Sequence, residues 1–386
     1  MTSGDPGATM VGTTSTSPRE MIRMSTSTTS SVHLDSVDAY AQRVLDSVLG
    51  TMDTLTILIG DRLGWYRSLA DDGPATAGEL AERTGTHPRY TREWLEQQAL
   101  TGLLDVDDGD PPRFTLSAVG REVLTDPHSL AYMAPLARMI VGATMQLPGL
   151  LEAYRNGGGV SWSQFGRDVC ESQADANRPL FEKALPDALR SVPEVDRVLG
   201  QPGAQIADIG CGGGWSTITI ARTYPDAKVH GFDIDAPSVE MARSNLAENA
   251  DVAQRVTFTQ CDASELPDEN FQAAFAFECV HDMPRPVEVL AAVRRSLAPG
   301  GFMIVMDEAV ADTFTAPGDD VERLMYGYSL TICLPDGMSH TPSVATGTVM
   351  RPATLRRYAL DAGFTEVDVL PIEDFGFFRF YLLRTE

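Results

Sequence analysis

The sequence predicts an α/β protein in two parts, a mainly helical N-terminal part and a C-terminal part built on a mostly parallel sheet. The chain has 386 residues, more than one compact domain usually holds. Hydrophobic residues make up 43% of it and charged residues 22%, as in soluble globular proteins. From residue 205 onward, short apolar runs alternate with helical segments. This alternation implies repeated β-α-β units and therefore parallel strands.

The charge balance argues against two classes of partner. The chain has 30 Lys and Arg against 54 Asp and Glu, a formal net charge of −24. Such a chain repels phosphate backbones and anionic headgroups, so we predict neither nucleic acid nor a membrane as partner. The apolar stretches at residues 55–59 and 130–151 lack the roughly 20 unbroken apolar residues of a membrane span.

The cysteines and the N-terminus indicate a cytoplasmic protein. No Cys-x-x-Cys pair occurs among the five cysteines, which argues against a disulfide framework or a metal site and fits a reducing compartment. These are Cys170, Cys211, Cys261, Cys279 and Cys333. The first residues are rich in Ser and Thr and lack the apolar core of a secretory signal. We predict a disordered leader over residues 1–35, with Met10, Met21 or Met24 as alternative starts.

The helical part contains the pattern of a winged helix. Apolar residues recur at helical spacing over residues 37–66. Thr76 can then cap a short helix, Gly85 turns the chain, and a second helix carries Trp94. Two short extended runs follow, separated by the strong turn signal Asp-Asp-Gly-Asp-Pro-Pro at residues 107–112.

Local charge argues against the usual role of a winged helix, DNA binding. Residues 76–110 contain three arginines and eight carboxylates, and the wing is the most acidic part. Phosphate contacts need Lys and Arg there. We therefore expect this region to form a homodimer interface and part of a substrate cover. We place the domain over residues 36–128, a helical connector over 129–200 and the α/β domain over 201–386.

A glycine-rich turn at the end of the first strand is the strongest local signal. It reads Asp208-Ile209-Gly210-Cys211-Gly212-Gly213-Gly214, and such turns let a backbone approach a ligand closely. A dinucleotide fingerprint starting at Gly210 would need a glycine where Trp215 stands. Asp208 would also oppose a pyrophosphate. The turn therefore suits a cationic ligand better.

Two further motifs follow at the ends of the next strands. Asp233 lies 23 residues after Gly210, near the ~20 expected for an acid that binds a ribose. Residues 260–263 follow the third strand. Together the three motifs resemble those of class I S-adenosylmethionine-dependent methyltransferases. With the winged helix, the chain is similar to two-domain small-molecule O-methyltransferases. The resemblance implies a Rossmann-like, seven-stranded, mostly parallel sheet and S-adenosylmethionine as cofactor.

The resemblance assigns nine residues to the cofactor site. The residues expected at the methionine moiety are Asp208, Gly210 and Gly212. Asp233 is expected to bind the ribose hydroxyls and Ile234 to contact the adenine ring. Asp262 is expected to bind the adenine amino group, beside Ala263. Cys211 and Glu278 are placed in the same site, with no chemistry assigned to Cys211. For Asp233 and Asp262 the alternative role is capping of a loop after a strand.

His281 is the candidate catalytic residue. Val280-His281-Asp282-Met283 resembles the Leu-His-Asp-Trp sequence of winged-helix O-methyltransferases and departs from it at Met283. The resemblance implies that His281 is the general base, a role that suits a group titrating near neutral pH. An orienting hydrogen-bond donor or a structural residue remain the alternatives. Asp282 also fits the N-cap of the following helix.

Four residues are weaker candidates for the acceptor pocket. Trp162 and Phe165 come from the connector, whereas Tyr326 and His340 come from a long insertion at residues 312–351. Ordinary packing explains each of them equally well. Their aromatic character favours an apolar or aromatic small molecule as acceptor.

The sequence therefore predicts a homodimeric cytoplasmic enzyme that methylates a small molecule, most readily at a hydroxyl oxygen. An N- or C-methyltransferase, or an enzyme that uses the bound cofactor in a non-methylating cyclisation, are the alternatives of similar fold. A ligand-responsive transcription regulator is a rival of another class, against which the acidic wing argues.

Overall fold

The N-terminal part has the predicted winged-helix order. The computed structural model describes residues 36–267 and 269–385, so the predicted leader and its alternative starts lie outside the described residues. The elements are α1 (Val37–Arg62), α2 (Trp65–Asp72), α3 (Ala77–Thr84), α4 (Pro88–Leu100), the hairpin β1 (Asp105–Val106) and β2 (Phe114–Thr115), and α5 (Ala118–Thr125). Thr76 and Glu79 form a capping box that starts α3, and Gly85 ends it with φ +66°.

An aromatic cluster holds α1, α2 and α4 together. The ring centroids of Trp65 and Tyr66 lie 4.7 and 5.0 Å from that of Trp94. A side chain at Gly60 of α1 would overlap the Trp94 ring, so the helices approach closely only because this residue is glycine. The predicted winged helix is confirmed.

The connector consists of six helices. These are α6 (Ala134–Thr144), α7 (Leu147–Asn156), α8 (Trp162–Phe165), α9 (Arg167–Lys183), α10 (Leu185–Arg190) and α11 (Pro193–Leu199). The long helix α9 contacts α6 on one side and the first helix of the α/β part on the other. It therefore links the two parts of the chain.

The C-terminal part is built on a seven-stranded sheet. Its strands are β3 (Gln205–Ile209), β4 (Lys228–Asp233), β5 (Val256–Gln260), β6 (Phe271–Phe277), β7 (Leu297–Glu308), β8 (Glu366–Val369) and β9 (Phe378–Arg384). Their order is β5-β4-β3-β6-β7-β9-β8, and all pairs are parallel except those of β9. The predicted seven-stranded, mostly parallel sheet is confirmed.

Helices cover both faces of this sheet. They are α12 (Trp215–Thr223), α13 (Ala236–Ala247), α14 (Pro286–Ser296) and α17 (Pro352–Asp361), and the insertion before α17 contains α15 (Asp320–Tyr328), a π-helical turn (Ser329–Cys333) and α16 (Leu334–Met338). Successive strand residues enter opposite cores, as Ile206 and Ala207 do. The strand order reverses between β3 and β6, where ligands of such sheets bind.

Candidate active site

The glycine-rich turn leads from β3 directly into α12. Gly210, Gly212 and Gly214 have φ of +66°, +50° and +79°, a region that side chains disfavour. A Cβ at Gly210 would lie 2.8 Å from the sulfur of Cys279, whereas the space beside Gly212 is open. Cys211 is buried just beneath the turn. The backbone at Gly212 is therefore exposed to a ligand on its open side.

Asp208 lies beneath this turn and ties β3 to α12. The side-chain hydroxyls of Ser216 and Thr217 both donate hydrogen bonds to its Oδ2. Its Oδ1 has no hydrogen-bond partner among the described residues, although Asp208 is only 1% exposed. Burial raises the pKa of its carboxyl to about 6. A fully shielded, unpaired carboxylate oxygen is unusual in a folded protein and is compatible with a nearby cation.

Asp233 joins the first two of the predicted cofactor motifs. Its Oδ2 accepts a hydrogen bond of 2.8 Å from the backbone N–H of Gly212, and its Oδ1 one of 2.9 Å from that of Asp235. Burial raises the pKa of this carboxyl. Asp233 therefore has the alternative capping role, because its carboxylate accepts from the backbone after the strand. Ile234 beside it is 61% exposed, as a platform for an apolar ring must be.

Asp262 and Ala263 lie at the end of β5. The Asp262 carboxylate accepts from the backbone N–H of Ser264 and caps the short 3₁₀ helix Ala263–Glu265. Burial raises the pKa of Asp262, but the bonds to Ser264 and the charges of Arg285 and His340 outweigh it and lower the pKa. His340 is exposed, and its charge acts on Asp262.

Glu278 follows β6 immediately, and its side chain contacts helix α9. Its backbone has φ +53°, a strained value for a residue with a side chain. The Gln173 side chain donates a 3.1 Å hydrogen bond to Oε2, whereas Oε1 has no hydrogen-bond partner within the described chain. Burial raises the pKa of Glu278 to about 8. Ala174, the next residue of α9, packs on Gly213. Helix α9 therefore covers one side of the open space beside Gly212 and Glu278, which we call the cleft.

His281 is enclosed by carboxylates on both sides of its ring. Its Nδ1 lies 3.0 and 3.1 Å from the two carboxylate oxygens of Asp307, and 3.3 Å from Oε2 of Glu308. Its Nε2 lies 3.4 Å from Oδ1 of Asp282. Burial alone would lower the pKa of His281, but the charges of Asp307, Glu308 and Asp282 raise it well above its ordinary value. The imidazole is only 2% exposed and therefore has a fixed orientation.

The predicted N-cap role of Asp282 is wrong. Helix α14 begins at Pro286, and Arg285 occupies its N-cap position without a side-chain hydrogen bond. Residues 280–282 form a turn and residues 284–285 a bend before the helix, so Asp282 faces the imidazole of His281 instead of capping α14.

Two overlapping sets of side chains have the geometry to hold a metal ion. His281 with Asp307 and Glu308, and His281 with Asp282 and Cys333, bring their ligand atoms within 4.8 Å of one another. In both sets a ring nitrogen of His281 lies beside a carboxylate, and the attraction between these two groups explains why they cluster without a metal ion. The expectation of no metal site stays a prediction.

The four weaker acceptor candidates do not form one cluster. Phe165 is buried in an apolar cluster that Trp162 borders. Tyr326 contacts Phe314 edge-on and accepts a hydrogen bond from Arg351. Within the described residues, neither Tyr326 nor His340 forms a hydrogen bond or ion pair with His281. Their role in an acceptor pocket remains a prediction.

Sequence reasoning missed four polar side chains of this region. Asp307 and Glu308 end β7 beside the end of β6, a position that the predicted parallel pairing could have indicated. Gln173 and Asp336 reach the cleft from a helix and from the insertion. No local sequence signal distinguishes either of them from a surface residue.

Fold and site together define the class of the protein: a winged-helix domain joined to a class I methyltransferase domain. A family described as a methyltransferase domain matches residues 206–301, and the Rv2258c-like winged HTH domain matches residues 51–125. These two matches support a class I S-adenosylmethionine-dependent methyltransferase with an N-terminal winged-helix region. Among the described residues no helix has the length and apolar character needed to cross a membrane.

Individual relatives agree with this assignment. The 27-O-demethylrifamycin SV methyltransferase of Amycolatopsis mediterranei (strain S699) is 36% identical over 135 residues, 33% of this chain and 49% of that protein. The tetracenomycin polyketide synthesis 8-O-methyl transferase TcmO of Streptomyces glaucescens is 25% identical over 85% of this chain and 89% of that protein. The chain spans between 37% and 62% of four further curated relatives.

A solved structure matches nearly the whole architecture. Human N-acetylserotonin methyltransferase, determined in complex with SAM, superposes with a TM-score of 0.65 at 19% identity. The match covers 89% of this chain and 97% of that chain. At this identity the likeness establishes the fold.

Proposed function

We propose that the protein transfers the methyl group of S-adenosylmethionine to a hydroxyl oxygen of a small, apolar or aromatic molecule. The observation that carries this proposal is the convergence of the glycine-rich turn, Asp233 and the exposed Ile234 at the switch point of the sheet. The rifamycin and tetracenomycin relatives, whose names specify 27-O and 8-O methylation, support a hydroxyl oxygen of a small molecule as acceptor.

The residues present fit this cofactor. The open backbone at Gly212 can face the methionine moiety, Asp233 the ribose, and Ile234 with Asp262 the adenine. Bound S-adenosylmethionine supplies a methyl group on a positively charged sulfur. The unpaired carboxylate oxygens of Asp208 and Glu278 could face such a cation, whose charge would lower their raised pKa values and favour the ionised forms.

His281 acts as the general base in this proposal. Asp307 accepts from Nδ1 and fixes the ring, so Nε2 is the nitrogen that can receive the acceptor's proton. The proton then remains on an imidazolium that Asp307 and Glu308 stabilise. Asp282, which faces Nε2, can hold the acceptor hydroxyl in line with it.

The pH at which kcat rises should depend on the carboxylates around His281, because their charges set its pKa. Because a base works only when neutral, the raised pKa of His281 places the rising limb of kcat above pH 6.5. Asp307→Asn removes one of the charges that raise this pKa, while Glu308, Asp282 and Glu278 remain. We expect the rising limb to move about 1–2 units toward acid. A pH–rate profile with an unmoved limb would show that His281 does not carry the titration.

A homodimer is the second part of the proposal. Eight apolar side chains of α1 are each at least 44% exposed: Val37, Tyr40, Val44, Leu45, Val48, Leu49, Met52 and Ile59. An apolar stripe of this length is typical of a surface that a second copy covers. With five free cysteines, we place the dimer in the cytoplasm.

Charges on that stripe should separate the two copies. Leu45→Glu with Leu49→Glu should convert the dimer to monomer in light scattering at micromolar concentration. Arg43 lies on the opposite side of the helix, so Arg43→Glu should leave the dimer intact. A wild-type protein that is monomeric under these conditions would refute the proposal.

Detection of the product formed from the cofactor tests whether the protein transfers a methyl group. Incubation with S-adenosylmethionine and hydroxylated aromatic compounds should yield S-adenosylhomocysteine and a methyl ether in equal amounts. Conversion of an acceptor without formation of S-adenosylhomocysteine would instead indicate a non-methylating reaction.

A further inference from the structure

Two distant segments of the chain join beside the cleft. The backbone N–H of Val160, in the connector, donates a 3.0 Å hydrogen bond to the carbonyl oxygen of Pro335 in the insertion. The N–H of Trp162 donates one of 2.7 Å to Oδ1 of Asp336. A side chain at Gly159 would overlap the backbone of Pro335, so the two segments lie in direct contact. We call residues 159–162 and 335–336 the clasp.

The clasp holds Asp336 between the two ends of the cleft. Its turn continues at Gly337, where a Cβ would lie 3.1 Å from the carbonyl oxygen of Asp282, near His281. On the other side, Asp336 is close enough to Asp233 and Asp235, at the ribose end, for their charges to act on it. Burial, followed by the charge of Asp282, raises the pKa of Asp336 to about 7.

The positive group that faces these carboxylates is His281, which lies beside Asp282. Among the described residues, the charged groups that act most strongly on Asp336 are Asp282, Asp235 and Asp233, and no Lys or Arg is among them. For Asp233 the strongest charged neighbour is Asp235. Like charges crowded in a partly buried cleft repel one another, so a cation between them is strongly favoured.

We propose that Asp336 is a further cofactor-binding residue, which distinguishes positively charged S-adenosylmethionine from its uncharged product. The inference rests on the proposed function, because it takes that cofactor as the ligand of the cleft. Oδ1 of Asp336 accepts from the N–H of Trp162, which leaves Oδ2 for a ligand, and a bound cation would favour the ionised form of this carboxyl.

The reaction removes the charge that Asp336 recognises. The methyl group forms its new bond to the acceptor oxygen, and the electron pair of the broken S–C bond stays on sulfur. The sulfur becomes a neutral thioether, while the acceptor's proton goes to His281. Attraction between Asp336 and the sulfur is then lost, and repulsion among Asp233, Asp282 and Asp336 returns. Asp336 therefore favours binding of the substrate form and release of the product.

Calorimetry with both forms of the cofactor tests this assignment. Asp336→Asn keeps an oxygen that accepts from Trp162 but removes the charge. We expect the affinity for S-adenosylmethionine to fall about tenfold, because the attraction between the carboxylate and the positively charged sulfur is lost. The affinity for S-adenosylhomocysteine should change less than about twofold. Asp105→Asn, the same charge change on the exposed hairpin, should alter neither affinity.

The possible results separate the inference from the proposed function. Equal losses for both ligands would make Asp336 a structural residue of the clasp and overturn the inference. A wild-type protein that binds neither ligand would overturn the proposed function and the inference with it. Asp336→Ser also keeps an oxygen acceptor and should reproduce the selective loss. Thermal unfolding of each variant checks that the fold is retained.

Discussion

The His281→Gln variant should keep its fold and its affinity for S-adenosylmethionine while turnover drops by about 10²–10⁴, the usual contribution of a positioned base. Its cofactor affinity should persist because the imidazole contacts Asp307, whereas the contacts predicted for the methionine moiety and the ribose are on the glycine-rich turn and at Asp233. Gln also retains a side-chain amide that can donate to Asp307. Steady-state kinetics and calorimetry on the same preparation separate the two effects.

The pH dependence of that loss distinguishes a base from an orienting donor. If His281 removes the acceptor's proton, the loss should shrink as the pH approaches the acceptor's own pKa, because the nucleophile is then already ionised. Loss of an orienting donor should cost the same at every pH. Turnover at the wild-type rate near pH 7 would contradict the base role. Asp282 would then be the next candidate, since it faces His281 whereas His340 acts on Asp262.

Asp233→Ala should weaken S-adenosylmethionine binding by at least about hundredfold. A carboxylate that accepts from both ribose hydroxyls forms two charge-assisted hydrogen bonds, each contributing roughly 1.5–3 kcal/mol. The substitution also removes the acceptor for the N–H groups of Gly212 and Asp235, which this carboxylate holds in place. Calorimetry on the folded variant measures the loss.

Asp233→Asn is the matched control for that variant. It keeps one carbonyl oxygen for a backbone N–H and removes the charge, so its affinity should fall between those of the wild type and Asp233→Ala. Unchanged affinity in the alanine variant would remove Asp233 from the cofactor site.

The parts of the fold that could be predicted from the sequence are those with local signals. Strand β3 and helix α12 end where predicted, at residues 205–209 and 215–223, because a glycine-rich turn and Pro225 delimit them. The capping box at Thr76 and the turn at Gly85 likewise depend on neighbouring residues alone. The same holds for Asp233, which ends the strand that its motif predicts.

The remainder of the site depends on contacts between segments far apart in the chain. Gln173 reaches Glu278 across 105 positions, and Trp162 reaches Asp336 across 174. Asp282 was misassigned because Pro284 follows it closely and a helix comes next, whereas α14 begins only at Pro286 and has Arg285 at its N-cap. The contact between His281 and Asp307 depends on the parallel register of β6 and β7, which the sequence does not specify locally.

A crystal structure with S-adenosylhomocysteine bound is the most direct test of the central claim, that this cleft is a class I cofactor site. It should show the ribose hydroxyls on Asp233, the adenine against Ile234 and beside Asp262, and the sulfur on the side of the cleft that His281 and Asp282 occupy. A ligand bound elsewhere on the protein, or bound in this cleft with its ribose away from Asp233, would contradict it.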